Sequence, residues 1–296
     1  MEPDGIDSFE SEGLHIAIRR TGAELISVRR EGARGSVGFL YRDGECSAPS
    51  SGWANHATVM GYFLHRLWHE QSTYRGKMIH GGNHGFLRHF KFPAPRRIDC
   101  GLAYHVAAES IPPEAYPLPV SLDLTYRIEN GALRVEFAFN NETGSDAHVS
   151  FGLHPGFAVT SLATAKVNLP AGTYTRFMAP GNFLDGTVER FDFAGGEMPF
   201  PKAGLPGSFL IGLAEVAERT IVLEDPGAGR RIEFDFSEVP YMTLWSDSDD
   251  YICIEPCWGL PDSNPPVAFE KKAGIQVIPA GETLRRGFSF RPLLIG

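Results

Sequence analysis

The stretch Met78–Phe92, MIHGGNHGFLRHFKF, places three histidines, one arginine and three glycines within fifteen positions. Ring nitrogens and a guanidinium around a glycine-rich bend suit three chemistries: metal ligation, phosphate cradling and the gripping of sugar hydroxyls. For a metal, His65 and His69 stand four residues apart, a spacing that places two ligands on one helical face. Their segment reads HRLWHE, however, and lacks the second histidine that would complete an HExxH site. His80, His84 and His89 have no cysteine pair nearby, so no metal ligand is assigned. Gly81-Gly82-Asn83-His84-Gly85 lacks the GxxxxGK[ST] pattern of a phosphate loop. Sugar recognition remains, in which imidazoles, arginines and carboxylates bond hydroxyls while an aromatic ring covers the apolar face. His15, His56, His69, His89, His105 and His148 are read as histidines that decorate exposed loops.

Two later segments sharpen the choice. Val149–Phe157, VSFGLHPGF, holds His154 stiffly, because proline restricts the residue before it to extended conformations. Tyr251–Asp262, YICIEPCWGLPD, runs as an apolar strand into Glu255, again fixed before a proline. An acid at the end of a buried strand is a candidate for a raised pKa and for acid–base work. The competing reading of Glu255 is a satisfied structural carboxylate.

These groups need a scaffold, and the punctuation is that of an all-β protein. The 33 glycines and 22 prolines recur every few residues, with short alternating runs between them. Leu14–Arg19, Val120–Tyr126, Leu133–Phe139, Thr220–Leu223, Ile232–Phe236 and Phe288–Phe290 each fit a strand with one face to a core. Asn130-Gly131 between two such runs predicts a tight hairpin. Ser208–Glu218 is expected to hold a short helix, and Gly61–Glu70 one helical turn. The expected architecture is one large antiparallel β-sandwich domain over residues 1–296, with a flexible start at 1–10 and the chemistry on loops and strand ends.

Bulk properties narrow the function. A chain of 296 residues buries roughly 75% of its unfolded surface and makes its own core. The net charge of −9, from 36 acidic and 27 basic residues, argues against nucleic acid as a partner. No run approaches the roughly 18 apolar residues of a membrane span. The start MEPDGIDSFESEG has neither the basic nor the apolar region of a secretory signal. Four cysteines, Cys46, Cys100, Cys253 and Cys257, make no disulfide framework and are expected to be reduced in a cytoplasmic protein.

The three segments together, from about Ser11 to Arg291, resemble the aldose 1-epimerase (mutarotase) family and most of all its LacX-like, glucose-6-phosphate 1-epimerase-like branch. His84-Gly85-Phe86-Leu87-Arg88 is similar to the family's HGFAR, Ser150–Phe157 to its SFGxHPxF, and Ile254–Asp262 to its IEPWxGxPD. Val59–Leu67 is similar to its VLFPxxGRL, with Tyr62 and His65 where proline and glycine are usual, and Cys257 displaces the usual tryptophan by one place. The resemblance implies a galactose mutarotase-like supersandwich and a small-molecule sugar substrate, a hexose that is neutral or else phosphorylated or sulfonated. It implies no cofactor and a monomer or homodimer. It implies His154 as general acid and Glu255 as general base, with the Glu255 charge keeping the imidazole protonated. His84, Arg66 and Arg88 match substrate contacts, and His80 is the second choice to His84, because HGGNHGF also resembles the HGGxxGF of the galactose mutarotase branch. Trp258, three residues after Glu255, is expected in the pocket wall, and Phe86 in the core. The alternative in another class is a non-catalytic carbohydrate-binding or sensing β-sandwich.

Overall fold

The computed structural model describes residues 5–33, 35–47, 49, 52–199 and 205–295. Among them the long elements are all strands, and the helical pieces are single 3-10 turns. No helix of the described residues is long and apolar enough to cross a membrane.

Period-two patterning dictates most of this. Leu14–Arg19 alternates buried and half-buried residues along its whole length, and Thr220–Asp225 alternates likewise after an exposed Thr220. Val120–Glu129 and Ala132–Asn141 form the expected hairpin, with Glu129 opposite Ala132. Asn130 and Gly131 between them take φ of 52° and 72°, the left-handed pair that a two-residue turn between twisted strands requires.

A nine-stranded and a seven-stranded antiparallel sheet form the bulk of the fold, and a four-stranded sheet built from Ile6–Gly38 joins them. The two large sheets meet face to face. Phe137 and Phe139 of the nine-stranded sheet pack on Phe151 of the other, at 5.1 and 4.6 Å between ring centres. Further along, Phe157 packs on Phe234 and Phe290 at 5.1 and 5.4 Å. One continuous apolar core therefore lies between the layers. Phe86 packs against that core, as expected.

Three local expectations are corrected. Ser208–Glu218 is not helical: Leu205–Gly212 is a strand paired with Tyr241–Ser246, with an irregularity between Leu205 and Phe209. The short apolar run Phe209–Ile211 carries no period of its own, so the open slot in the sheet decides it. In Gly61–Glu70 only Trp68–Glu70 turns, as a 3-10 element. Residues 6–10, expected to be loose, pair within Ile6–Ser11 as the edge strand of the four-stranded sheet.

Candidate active site

The strand Phe151–Ala158 lies between Ala57–Met60 and Tyr251–Trp258 in the seven-stranded sheet. His154 pairs with Thr58 on one side. On the other, Gly152 opposes Cys257 and Gly156 opposes Cys253, a constant register that brackets His154 against Glu255. Thr243 pairs with Glu255, and Leu210 with Thr243. Opposed residues of an antiparallel sheet point to the same side. Thr58, His154, Glu255, Thr243 and Leu210 thus form one row, on the face turned away from the sandwich core. The sequence places His154 and Glu255 at strand ends; both lie inside strands, held by ladders on either side.

His154 Nε2 lies 3.4 Å from Glu255 Oε1. His154 Nδ1 and Glu255 Oε2 are buried with no hydrogen-bond partner among the described residues. Both side chains line a cavity closed on its other sides by loops. The loop that carries His84 is bent at two consecutive left-handed residues, His84 with φ 63° and Gly85 with φ 74°. A side chain at Gly85 would come within 2.2 Å of the Gly61 carbonyl oxygen, so the bend needs glycine. The His84 N–H donates to the His65 carbonyl at 2.7 Å, and the His65 N–H donates to His84 Nδ1 at 3.2 Å. The second bond makes Nδ1 an acceptor, so the ring proton of neutral His84 sits on Nε2. Ser150 Oγ accepts the Leu64 N–H at 3.0 Å. Asp262 accepts the Trp68 N–H at 3.0 Å and faces Lys272 Nζ at 3.4 Å. These bonds explain why the segments Ser150–Phe157 and Ile254–Asp262 carry polar residues beside the row itself: they fasten the 64–68 segment over it.

Three rings surround the His154 imidazole, with centre distances of 5.0 Å to Trp53, 5.2 Å to His84 and 5.6 Å to Trp245. Arg66 is exposed at the rim and Arg88 is half-buried. Among the described residues no carboxylate forms an ion pair with either guanidinium.

Burial governs the charges. It pushes His154 down to about 3, with the nearby Arg88 and His65 adding to the effect. It holds Glu255 well above the ordinary carboxylate range. His84 is held well below its ordinary value by burial, then by His154, His65 and the two arginines. His65 falls to about 3 through burial and the Lys272 charge. Burial thus disfavours charge on the imidazoles and on the Glu255 carboxyl alike. This differs from the expectation that the Glu255 charge keeps His154 protonated: at the imidazole, burial outweighs the neighbouring carboxyl group.

The structure brings together His84, Arg66, Arg88, His154 and Glu255 of the residues expected from sequence. His80 is not among them. It is exposed at the end of Lys77–His80, where its N–H donates to the Glu114 carbonyl at 2.8 Å. Trp258 is not in the wall either. It is buried in the core, stacked on Phe151 at 5.1 Å, and its Nε1–H donates to the Glu238 carbonyl at 3.0 Å. An odd offset from Glu255 along a strand turns a side chain to the opposite face. His65, Trp53 and Trp245 line the cavity without having been assigned to it. Trp245 had a signal, since its register partner Cys253 lies two places from Glu255. His56 and His148, read as exposed, are respectively buried and half-buried: His56 pairs with Glu24, and His148 bonds Tyr74.

A comparison with curated protein sequences finds no match. Solved structures do match. A galactose mutarotase related enzyme from Lactobacillus acidophilus superposes with a TM-score of 0.84 at 21% identity, over 98% of this chain and 97% of that one. A galactose mutarotase-like protein from Lactobacillus casei gives 0.84 and 21% over 98% and 100%. Galactose 1-epimerase from Lactobacillus acidophilus gives 0.69 and 12% over 99% of each chain. The architecture is thus the galactose mutarotase-like fold. The aldose 1-epimerase family model matches residues 8–291, nearly the whole length, and the chain belongs to the aldose 1-epimerase family.

Proposed function

We propose that the protein interconverts the α and β anomers of a hexose by acid–base ring opening and closure between His154 and Glu255. The observation that carries this reading is the 3.4 Å approach of an imidazole and a carboxyl group whose residues line one cavity. Opening the pyranose ring removes the anomeric hydroxyl proton and protonates the ring oxygen. One donor and one acceptor suffice, and each well-placed proton transfer contributes about 10²- to 10⁴-fold. Rotation about C1–C2 presents the other face of the aldehyde, and the roles reverse on closure. In the family assignment Glu255 takes the hydroxyl proton and His154 donates to the ring oxygen. That division of roles requires the titratable proton of the pair to stand on His154, with Glu255 as the carboxylate, when the sugar is bound. His84 Nε2–H, Arg66 and Arg88 donate to hydroxyls and to any anionic substituent.

Arg66 and Arg88 favour an anionic hexose, a phosphate or sulfonate ester. Among the described residues neither guanidinium forms an ion pair with a carboxylate, and a guanidinium fork pairs bidentately with such oxyanions. Polarimetric or NMR exchange rates over glucose, galactose and their 6-phosphates test the proposal. The protein accelerates exchange, and Glu255→Gln or His154→Asn abolishes it in a folded chain. Near-parental exchange in either variant refutes the assignment. Saturable sugar binding with no acceleration by the parent protein would leave a non-catalytic binder.

A further inference from the structure

The imidazole of His65 lines the cavity, and three features set it apart. Its backbone is left-handed, with φ 56°, a conformation that suits glycine and strains a residue with a Cβ. Among the described non-glycine residues with left-handed φ, only Ala23, His65 and His84 are buried, and the two histidines line the same cavity. The His65 ring is itself buried, yet its Nε2 has no hydrogen-bond partner among the described residues. The ring also stands close to the groups that react. Its centre is 5.5 Å from that of His84, and it lies within electrostatic reach of His154. Backbone strain and a buried nitrogen without a partner both cost the fold free energy. Glycine at this position would avoid both costs.

We propose that His65 is a specificity-determining residue of the site, and that it bonds a hydroxyl at C2, C3 or C4 of the bound hexose. The inference rests on the anomer-exchange reading of the cavity. That reading gives the C1 hydroxyl and the ring oxygen to Glu255 and His154, so a hydroxyl elsewhere on the ring is what remains for His65. The state of the imidazole selects the same partner. Burial and the Lys272 charge hold it at about 3, and Lys272 is kept in place by Asp262 at 3.4 Å. The ring is therefore neutral, with one N–H to donate and one nitrogen to accept. A hydroxyl offers the same two functions in return, whereas an oxyanion only accepts and suits the Arg66 and Arg88 forks. His65 is also fixed before any ligand arrives. Its N–H donates to His84 Nδ1 at 3.2 Å, and its carbonyl accepts the His84 N–H at 2.7 Å. A fixed polar group in a buried site rejects an analogue that lacks the matching hydroxyl, because the group is then left unpaired.

A cycle between protein and ligand tests the assignment. The sugar is whichever of glucose, galactose and their 6-phosphates the parent chain exchanges fastest, with its 2-, 3- and 4-deoxy analogues. Each keeps the free C1 hydroxyl that the reaction needs. The variants are His65→Gly and His65→Asn, two residues that accept a left-handed backbone, and melting curves check that they fold. In the parent, one deoxy analogue loses about tenfold in kcat/KM against the full sugar, the weight of one hydrogen bond to a buried group. In both variants that loss disappears, because the bond is already gone. A ring that serves only to pack against His84 would lower exchange of every sugar by one factor and leave the deoxy losses as they are in the parent. That pattern overturns the proposal, as does a parent indifferent to all three deletions. Failure of the anomer-exchange reading shows differently, as no acceleration with any sugar. Calorimetric titration with glucose and its deoxy analogues then reads the same cycle in Kd: a deletion loss abolished by His65→Gly supports the contact, and unchanged losses refute it.

Discussion

The molecule contains the same pair of buried side chains twice. Glu24 Oε1 lies 3.3 Å from His56 Nδ1, and Glu255 Oε1 lies 3.4 Å from His154 Nε2. The surroundings differ. Glu24 accepts the His56 backbone N–H at 2.7 Å and the Arg19 guanidinium at 3.1 Å, so both its oxygens are engaged. Among the described residues Glu255 has one oxygen with no partner, while each imidazole, at His56 Nε2 and at His154 Nδ1, keeps one buried nitrogen without a partner; only His154 and Glu255 line the candidate cavity. A carboxylate whose lone pairs are all used holds structure together. One desolvated and left short of donors gives up its charge and keeps a proton available. Distance alone does not distinguish the two pairs; the count of remaining bonds does.

The comparison is broken most directly at the rates. Glu255→Gln and His154→Asn lower kcat by about 10³-fold or more, measured as anomer exchange, while Glu24→Gln leaves kcat near the parental value. If Glu24→Gln proved as damaging to exchange as Glu255→Gln, in a chain still folded, the contrast would fail. Arg88 lies electrostatically within reach of Glu24 and lines the cavity of the other pair. Arg88→Ala raises KM for a hexose 6-phosphate by about 10- to 100-fold and for glucose far less, the difference being charge-assisted hydrogen bonds.

Stability sharpens the contrast with smaller effects. Glu24→Gln destabilises the fold by about 2 kcal/mol in denaturant melts, because it leaves the Arg19 and His56 donors underused. Glu255→Gln acts in the opposite direction and depends on pH. The folded pKa of Glu255 lies above its ordinary 4.5. Above that pH the unfolded chain releases a proton that the folded chain retains, so the stability due to the group is complete below 4.5 and is lost as pH rises through the folded value. Glutamine has no proton to lose. The variant is therefore more stable than the parent at alkaline pH, and the gap closes on acidification. A gap independent of pH would show that Glu255 is ionised in the fold. The smallest effect is one of shape. His154 titrates near 3 rather than at 6.5, so kcat/KM shows no inflection near 6.5 on the acid side, and one appearing there would place a solvated imidazole in the free enzyme.

Much of this was legible in the chain. Alternation marked the strands, Asn130-Gly131 marked the hairpin, and the segments around Arg66, His84, His154 and Glu255 brought five cavity residues with them. The misses have physical causes. Trp258 was assigned by nearness in sequence, yet strand parity turns it into the core. His80 and His84 are alike in composition and differ in the left-handed backbone that folds His84 inward, which single residue types do not announce. His65 looked like half of a metal pair with His69, because helical spacing was assumed where the chain makes a 3-10 turn whose His69 takes φ 52°. Trp53 lies outside regular structure, where no period speaks for its direction. The direction in which burial moves the pair is hidden from the sequence, because depth below the surface is a property of the packed layers.

The row from Thr58 to Leu210 carries a consequence for how such a protein can change. Its spacing is set by the ladder of main-chain bonds between neighbouring strands, and sliding either strand by one place would turn the imidazole or the carboxyl group to the reverse side. The loops overhead are fastened only at separate points, such as Leu64 to Ser150 and Trp68 to Asp262. Redesign of what the molecule accepts belongs at the exposed positions between those points, where side chains can be exchanged while the reacting centre stays in tune.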